Sequence, residues 1–143
     1  MKIAFLISHP TQYHAPFFRD LAKNPNIDLT VYFCLKRGLE ETLDSGFGKT
    51  YKWDIPLLDG YDYIFLKNYS PKPTPTFFGQ INPRIIGELR GKKYDAIIVH
   101  GYVSCTNWLA FLAAQLTKIP IILKGEADAS KKISFFKKVF KKV

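Results

Sequence analysis

Three short runs of apolar residues place the strongest constraint on how this chain can fold. Residues 3–7, 96–99 and 119–123 are apolar almost throughout, and each run ends directly at polar residues or glycine. A strand covered on both faces has this continuous pattern, as the central strands of parallel sheets do. Residues 29–34 add a fourth predicted strand, because they alternate and are rich in β-branched and aromatic side chains.

Helical signals separate these strands. Pro16 suits the first turn of a helix, whose apolar residues recur at helical spacing until Asn24 and Pro25 end it. Asn82 and Pro83 predict the cap and the first residue of a second helix. The apolar face of that second helix is formed by Ile81, Ile85, Ile86 and Leu89.

A third helix is predicted between the strands at 96–99 and 119–123. Either Ser104 or Thr106 can cap it, and its inward-facing side chains are expected to be Leu109, Leu112, Ala113 and Leu116. Residues 51–55 and 63–66 are weaker strand candidates, and the proline-rich segment 70–75 is extended. This alternation predicts an α/β fold, a Rossmann-like, doubly wound and mainly parallel sheet. We assign residues 1–130 to this single domain.

Composition and charge exclude several classes of protein. Of 143 residues, 47% are hydrophobic and 23% charged, which is typical of a globular protein. Six of the 21 basic residues fall in residues 131–143, so residues 1–130 hold 15 basic and 12 acidic residues. This modest balance argues against a nucleic-acid partner. No run reaches the ~20 apolar residues of a membrane helix. The N-terminus does not resemble a signal peptide, and the two cysteines lie in apolar stretches, so we expect a cytoplasmic protein.

Polar residues that follow the predicted strands form the candidate site. In open parallel sheets, ligands bind at the carboxyl ends of the strands. Three strand ends that are separate in sequence therefore meet at one edge, and the candidate residues on them are His9, Thr11, Gln12 and His14, then His100 and Gly101, then Gly125 and Glu126.

Each of these residues also has an ordinary structural explanation. A histidine after a strand can cap a helix or lie on the surface, glycines can serve tight turns, and Glu126 can favour the N-terminus of a following helix. Neither GxGxxG nor a P-loop follows the first strand, which argues against a dinucleotide-binding domain and a P-loop NTPase. The alternative, a zinc site built from the three histidines, has no support from helical or loop spacing, so we predict no metal site. We also expect no cofactor.

Three segments resemble a known family. HPTQYHAPFFRDLA after the first strand, IIVHGY in the middle and IILKGEAD near the end are similar to the N-terminal domain of family 4-type GT-B glycosyltransferases, and the resemblance covers almost the whole chain. It implies two Rossmann-like domains that face each other across a cleft and act without a metal. The N-terminal domain of such enzymes mainly binds the acceptor, a saccharide or a lipid-linked molecule. The C-terminal domain mainly holds the nucleotide-sugar donor.

The resemblance also implies roles for individual residues. His9 to Gln12 would form the cleft floor, with His9 and Gln12 contacting a sugar, and Thr11 and His14 are assigned to substrate binding with them. His100 would be an active-site ligand or base, next to Gly101. Gly125 and Glu126 would border the cleft, with Glu126 orienting a hydroxyl group or assisting His100.

The donor half is not present in these 143 residues, so we expect it either in a longer gene product or in a separate chain. The isolated chain would then be inactive. The alternative is a non-catalytic α/β module that docks a partner protein.

Residues 131–143 form a distinct basic tail. Ile133, Phe136, Phe140 and Val143 fall on one helical stripe, and six lysines flank it. This is the pattern of an interfacial amphipathic helix, which would bring the protein to the anionic inner face of a membrane as a peripheral protein. The alternative is that the apolar stripe packs against the body of the protein or against the donor domain.

Overall fold

The computed structural model describes residues 1–37, 42–44, 49–51 and 57–125, with side chains described for 1–37 and 57–125. Along the chain these residues form, in order, β1 (Lys2–Ile7), α1 (His14–Lys23), β2 (Asp28–Phe33), β3 (Thr42–Asp44), β4 (Lys49–Tyr51), β5 (Asp62–Phe65), α2 (Arg84–Gly91), β6 (Ala96–His100), α3 (Cys105–Thr117) and β7 (Ile121–Lys124).

Five of the strands form one parallel sheet in the order β5-β2-β1-β6-β7, and β3 and β4 form a separate antiparallel pair. The strand order runs outward from β1 in both directions, so the winding of the chain reverses between β1 and β6. This confirms the prediction of an α/β, Rossmann-like, doubly wound fold in a single domain. It also locates the topological switch point at the carboxyl ends of β1 and β6.

Successive side chains of the central strands point to opposite faces of the sheet, so they pack into two separate hydrophobic cores. On one face, Phe5 of β1 and Val31 of β2 pack with Phe18 of α1. On the other face, Leu6 and Val99 pack with residues of α2 and α3. Both faces of β1 are therefore covered, which explains its continuous apolar sequence.

The structure corrects the prediction for α3. Ser104 is its cap, since its Oγ accepts from the Asn107 N–H at 3.2 Å. The predicted inward residues Leu112 and Leu116 are exposed, at 50% and 67%. The buried face is made largely of small residues, namely Thr106, Asn107, Ala110, Phe111, Ala113 and Ala114. Small side chains let the helix lie close to its neighbours, so the larger leucines point outward.

Two further predictions are wrong. The third apolar run was expected to be a buried strand, but β7 is the edge strand, and Ile121, Ile122 and Leu123 are 37–52% exposed. Asn82 was expected to cap α2, but Pro83 occupies the cap position without a side-chain bond. The fully buried Asn82 side chain instead joins the ends of two strands, because its amide donates to the carbonyls of Cys34 and Leu66, each at 3.1 Å.

Candidate functional site

The site lies at the carboxyl edge of the sheet, beyond β1 and β6. His9 follows β1 by two residues, and His100 is the last residue of β6. The two strands are direct neighbours, with Leu6 opposite Val99. Neighbouring strands lie about 4.8 Å apart, so these two histidines come together at the switch point of the fold.

Local hydrogen bonds fix the loop between β1 and α1. Thr11 Oγ1 is 2.8 Å from His14 Nδ1 and also accepts from the His14 backbone N–H at 3.3 Å. His9 Nδ1 lies 3.0 Å from Ser8 Oγ. Thr11 therefore fixes the position of His14, the first residue of α1, through both its side chain and its backbone. Gln12 lies in the same loop, half-buried.

The rings of His14 and His100 meet edge to face, with their centroids 4.9 Å apart. His14 also stacks on Phe18, at 6.0 Å between centroids, so its ring is held between the core and His100. His100 is itself half-buried. This leaves a partly solvated imidazole at the switch point, the type of group that serves as a general base or as a hydrogen-bonding ligand.

The environment of His9 favours its neutral form. Burial, the Arg37 guanidinium and His100 together lower the pKa of His9 below its ordinary value of 6.5, with burial the largest cause. A neutral imidazole carries both an N–H donor and a nitrogen acceptor. Because Nδ1 of His9 is hydrogen-bonded to Ser8 Oγ, its Nε2 is the atom that can donate to a bound ligand or accept from it, according to the tautomer.

Gly101 gives the chain its turn after His100. Its φ of +82° lies in the left-handed region that glycine occupies without strain, and its N–H donates to the Lys124 carbonyl at 2.9 Å. This bond links the loop after β6 to the end of β7. Gly101 supports the site through its backbone, and Gly125 follows β7 in an exposed position.

Residues that sequence reasoning missed complete the site. Gln80 is buried and its Nε2 donates to Ser8 Oγ at 3.0 Å, which supports the residue beside His9. Arg37 lies beyond the end of β2, where the Leu35 N–H donates to the Ser8 carbonyl at 2.8 Å. Counting β2 among the strand ends would have found Arg37. The segment that delivers Gln80 has no periodic pattern, so nothing in the sequence indicated its position.

Glu126, Asp128 and the basic tail lie outside the described residues. Among the residues that the structure does describe, no group of three or more His, Cys, Asp or Glu side chains is arranged to hold a metal ion. Within the same residues, no helix is both long and apolar enough to cross a bilayer.

No protein-family model matches the sequence, and no curated protein matches it significantly.

Proposed function

We propose that this chain is the acceptor-side domain of a metal-independent GT-B glycosyltransferase. In the proposed reaction a sugar moves from a nucleotide-sugar donor to a saccharide or lipid-linked acceptor, and a C-terminal or separate domain holds the donor. The observation that carries the proposal is the placement of His9 and His100 at the ends of β1 and β6, where the winding of the sheet reverses.

The chemistry assigned to this site is proton transfer and positioning. As the acceptor hydroxyl attacks the anomeric carbon, a new C–O bond forms and the bond to the diphosphate breaks, with its electron pair leaving on the diphosphate. His100 accepts the hydroxyl proton. The ring of His100 packs edge to face against the ring of His14, which limits the space available to it. His9 and Gln12 contact the sugar, and Glu126 orients a hydroxyl group or supports His100.

Binding experiments on the full chain test whether it binds the acceptor and leaves the donor to another domain. The chain has three histidines, so their imidazole NMR signals report directly on the site. We expect saccharides to shift the signals of His9 and His100. Calorimetry should find weak or no binding of nucleotide sugars, and the chain alone should transfer no sugar. Low-micromolar binding of a nucleotide sugar to this chain alone would contradict the proposal.

A lipid-linked acceptor would require the protein to work at a membrane surface. The tail at 131–143 supports this part of the proposal, because it combines six lysines with phenylalanines at helical spacing. Its lysines would contact anionic headgroups and its phenylalanines would enter the headgroup boundary. The protein would then act as a peripheral protein on the inner face of the membrane.

One observation favours the alternative, a non-catalytic module that docks a partner protein. Leu112 and Leu116 lie one turn apart on α3 and are both exposed, and β7 exposes apolar side chains as well. Exposed apolar surfaces of this kind are typical of interaction sites. The histidine signals discriminate between the two functions, because a docking module would bind no saccharide at the carboxyl edge.

A further inference from the structure

The described carboxylates are unevenly distributed between the two edges of the sheet. Carboxylates stand where strands begin: Asp28 and Asp62 are the first residues of β2 and β5, and Asp95 directly precedes β6. At least one of them has a structural role, since Asp95 accepts from the Lys2 backbone N–H at 2.6 Å.

The opposite edge is basic. The described residues that directly follow the five strands, 8–13, 34–37, 66–83, 101–104 and 125, include no Asp or Glu, and Glu40, Glu41 and Glu126 lie outside the described residues. The same edge carries Arg37 after β2, Lys67 after β5 and Lys124 at the end of β7, together with His9 and His100.

Two of these cations flank the histidines. Arg37 is exposed and lies beyond β2, close enough to His9 for its charge to disfavour protonation of that ring. Lys124 is paired in register with His100, and its Nζ lies 4.7 Å from the ring centroid of Phe17, in the turn of α1 that follows His14. The site therefore has fixed positive charge on both sides and imidazoles in the middle.

This arrangement selects a class of ligand. A metal cation would be repelled by Arg37 and Lys124. A neutral sugar has no charge with which to pair the guanidinium or the ammonium group. An oxyanion suits both, because a guanidinium binds carboxylate or phosphate through two parallel hydrogen bonds and a half-buried imidazole N–H can add another.

We propose that the carboxyl edge of the sheet at Arg37, His9 and His100 binds an oxyanion, a carboxylate or a phosphate, carried by the acceptor. Arg37 supplies the permanent charge, the two imidazoles donate hydrogen bonds, and Lys124 adds attraction from the side of β7. Assignment of the oxyanion to the acceptor rests on the proposed function. Binding of an oxyanion at this edge does not.

Titrations of the full chain with small anions test the proposal. The probes are inorganic phosphate, glucuronate, neutral glucose and UDP, and the readout is the imidazole NMR signals of the three histidines at constant ionic strength. We expect phosphate or glucuronate to shift His9 and His100 at millimolar concentrations, with glucose far weaker. The tighter of the two anions identifies the source of the oxyanion as a sugar acid or a phosphorylated acceptor.

Arg37→Gln and Arg90→Gln form a matched pair of variants. Both remove one exposed guanidinium, but Arg90 lies in the last turn of α2, at the opposite edge of the sheet. Loss of a charge-assisted hydrogen bond should weaken binding about tenfold or more in the Arg37 variant. The Arg90 variant should bind like the parent chain.

Three results would overturn the proposal. Histidine signals that no anion moves would show that the site is absent, and equal weakening by both variants would show only diffuse charge. UDP affinity more than tenfold above that of phosphate would assign the site to the donor. Anion binding that meets the expectation, together with no sugar transfer to any acceptor when this chain is combined with a donor-binding domain, would refute the proposed function and leave the oxyanion site standing.

Discussion

The imidazole of His14 lies edge to face against the imidazole of His100, 4.9 Å away between ring centroids. One ring comes from the first turn of a helix and the other from the end of a strand, so the contact exists only when both elements are docked. His14 also contacts Phe18 and Thr11, so its ring joins His100 to the hydrophobic core and to the loop after β1.

If His100 is the general base, its replacement should affect turnover and not folding. In the chain combined with its donor-binding domain, His100→Ala should lower turnover about a hundredfold or more. The melting temperature should hardly change, because His100 is half-buried and lies at the end of its strand. Steady-state transfer assays and thermal melts on the same preparation check both. A variant that melts far below the parent would indicate a structural role instead.

The lowered pKa of His9 predicts that the domain loses stability in mild acid. The unfolded chain takes up a proton on His9 as the pH falls through about 6.5, whereas the folded protein resists until a lower pH. The free energy of unfolding should therefore fall from pH 7 downward until the native pKa is reached. Urea unfolding of the parent and of His9→Gln across pH 7.5 to 5.5 tests this. A pH dependence that is equally steep in both proteins would contradict the prediction.

Asn82 should be among the most costly polar residues to replace. Its amide satisfies two carbonyls at the ends of β2 and β5, and its Oδ1 accepts from Thr106 Oγ1 at 2.7 Å. Asn82→Ala leaves those buried groups without partners, so we expect a loss of about 2–4 kcal/mol in the free energy of unfolding. Asn26→Ala is the control, because Asn26 is exposed and only its backbone atoms form described bonds. Similar losses in both variants would refute this role of Asn82.

Two glycines should respond in opposite directions to the same substitution. A Cβ at buried Gly79 would overlap the carbonyl of Thr74, so Gly79→Ala must displace backbone and should cost about 1–3 kcal/mol. Gly87 lies inside α2 with open space around it, so Gly87→Ala should stabilise the protein by about 1 kcal/mol through helix propensity. Thermal melts of the two variants provide the comparison. A stable Gly79 variant would show that the 70–79 loop adapts freely.

For the basic tail we expect binding to anionic liposomes and weak binding to neutral ones. Lysine attraction is screened by salt, whereas apolar insertion is not, so high salt should release the protein only in part. Replacing Phe136 and Phe140 with Ser should remove the salt-resistant fraction, and changing four tail lysines to Gln should remove the preference for anionic lipid. Co-sedimentation measures both fractions. A parent chain that stays in the supernatant with anionic liposomes at low salt would contradict the membrane assignment.

The fold was predictable because a strand that is buried on both faces has apolar residues at successive positions of its sequence. The apolar runs at 3–7 and 96–99 form the interior strands β1 and β6, and side chains of β1 pack into both hydrophobic cores. The third apolar run, residues 119–123, has the same continuous apolar pattern, but its strand β7 lies at the edge of the sheet. Composition alone does not give the order of the strands. In α3 apolar residues surround the helix, so no stripe distinguishes the buried alanines from the exposed Leu112 and Leu116.

Part of the candidate site was predictable for a topological reason. Parallel strands bring their carboxyl ends together, which placed His9 and His100 side by side without any knowledge of side-chain contacts. Gln80 and Asn82 could not be assigned in this way. Each makes its contacts across a long separation in sequence, Gln80 with Ser8 and Asn82 with Cys34, and neither periodicity nor capping rules apply to such bonds.

Because β7 is an exposed edge strand, the shape of the site depends on a strand that is only weakly held in the sheet. Because the side chains of β7 are already in contact with solvent, detaching the strand forfeits little burial, and local opening there requires far less free energy than global unfolding. Opening also breaks the bond from the Gly101 N–H to the Lys124 carbonyl, which ties down the turn beyond His100. Whatever covers β7, another segment of this protein or a second protein, therefore also sets the fraction of molecules in which that turn is ordered for binding.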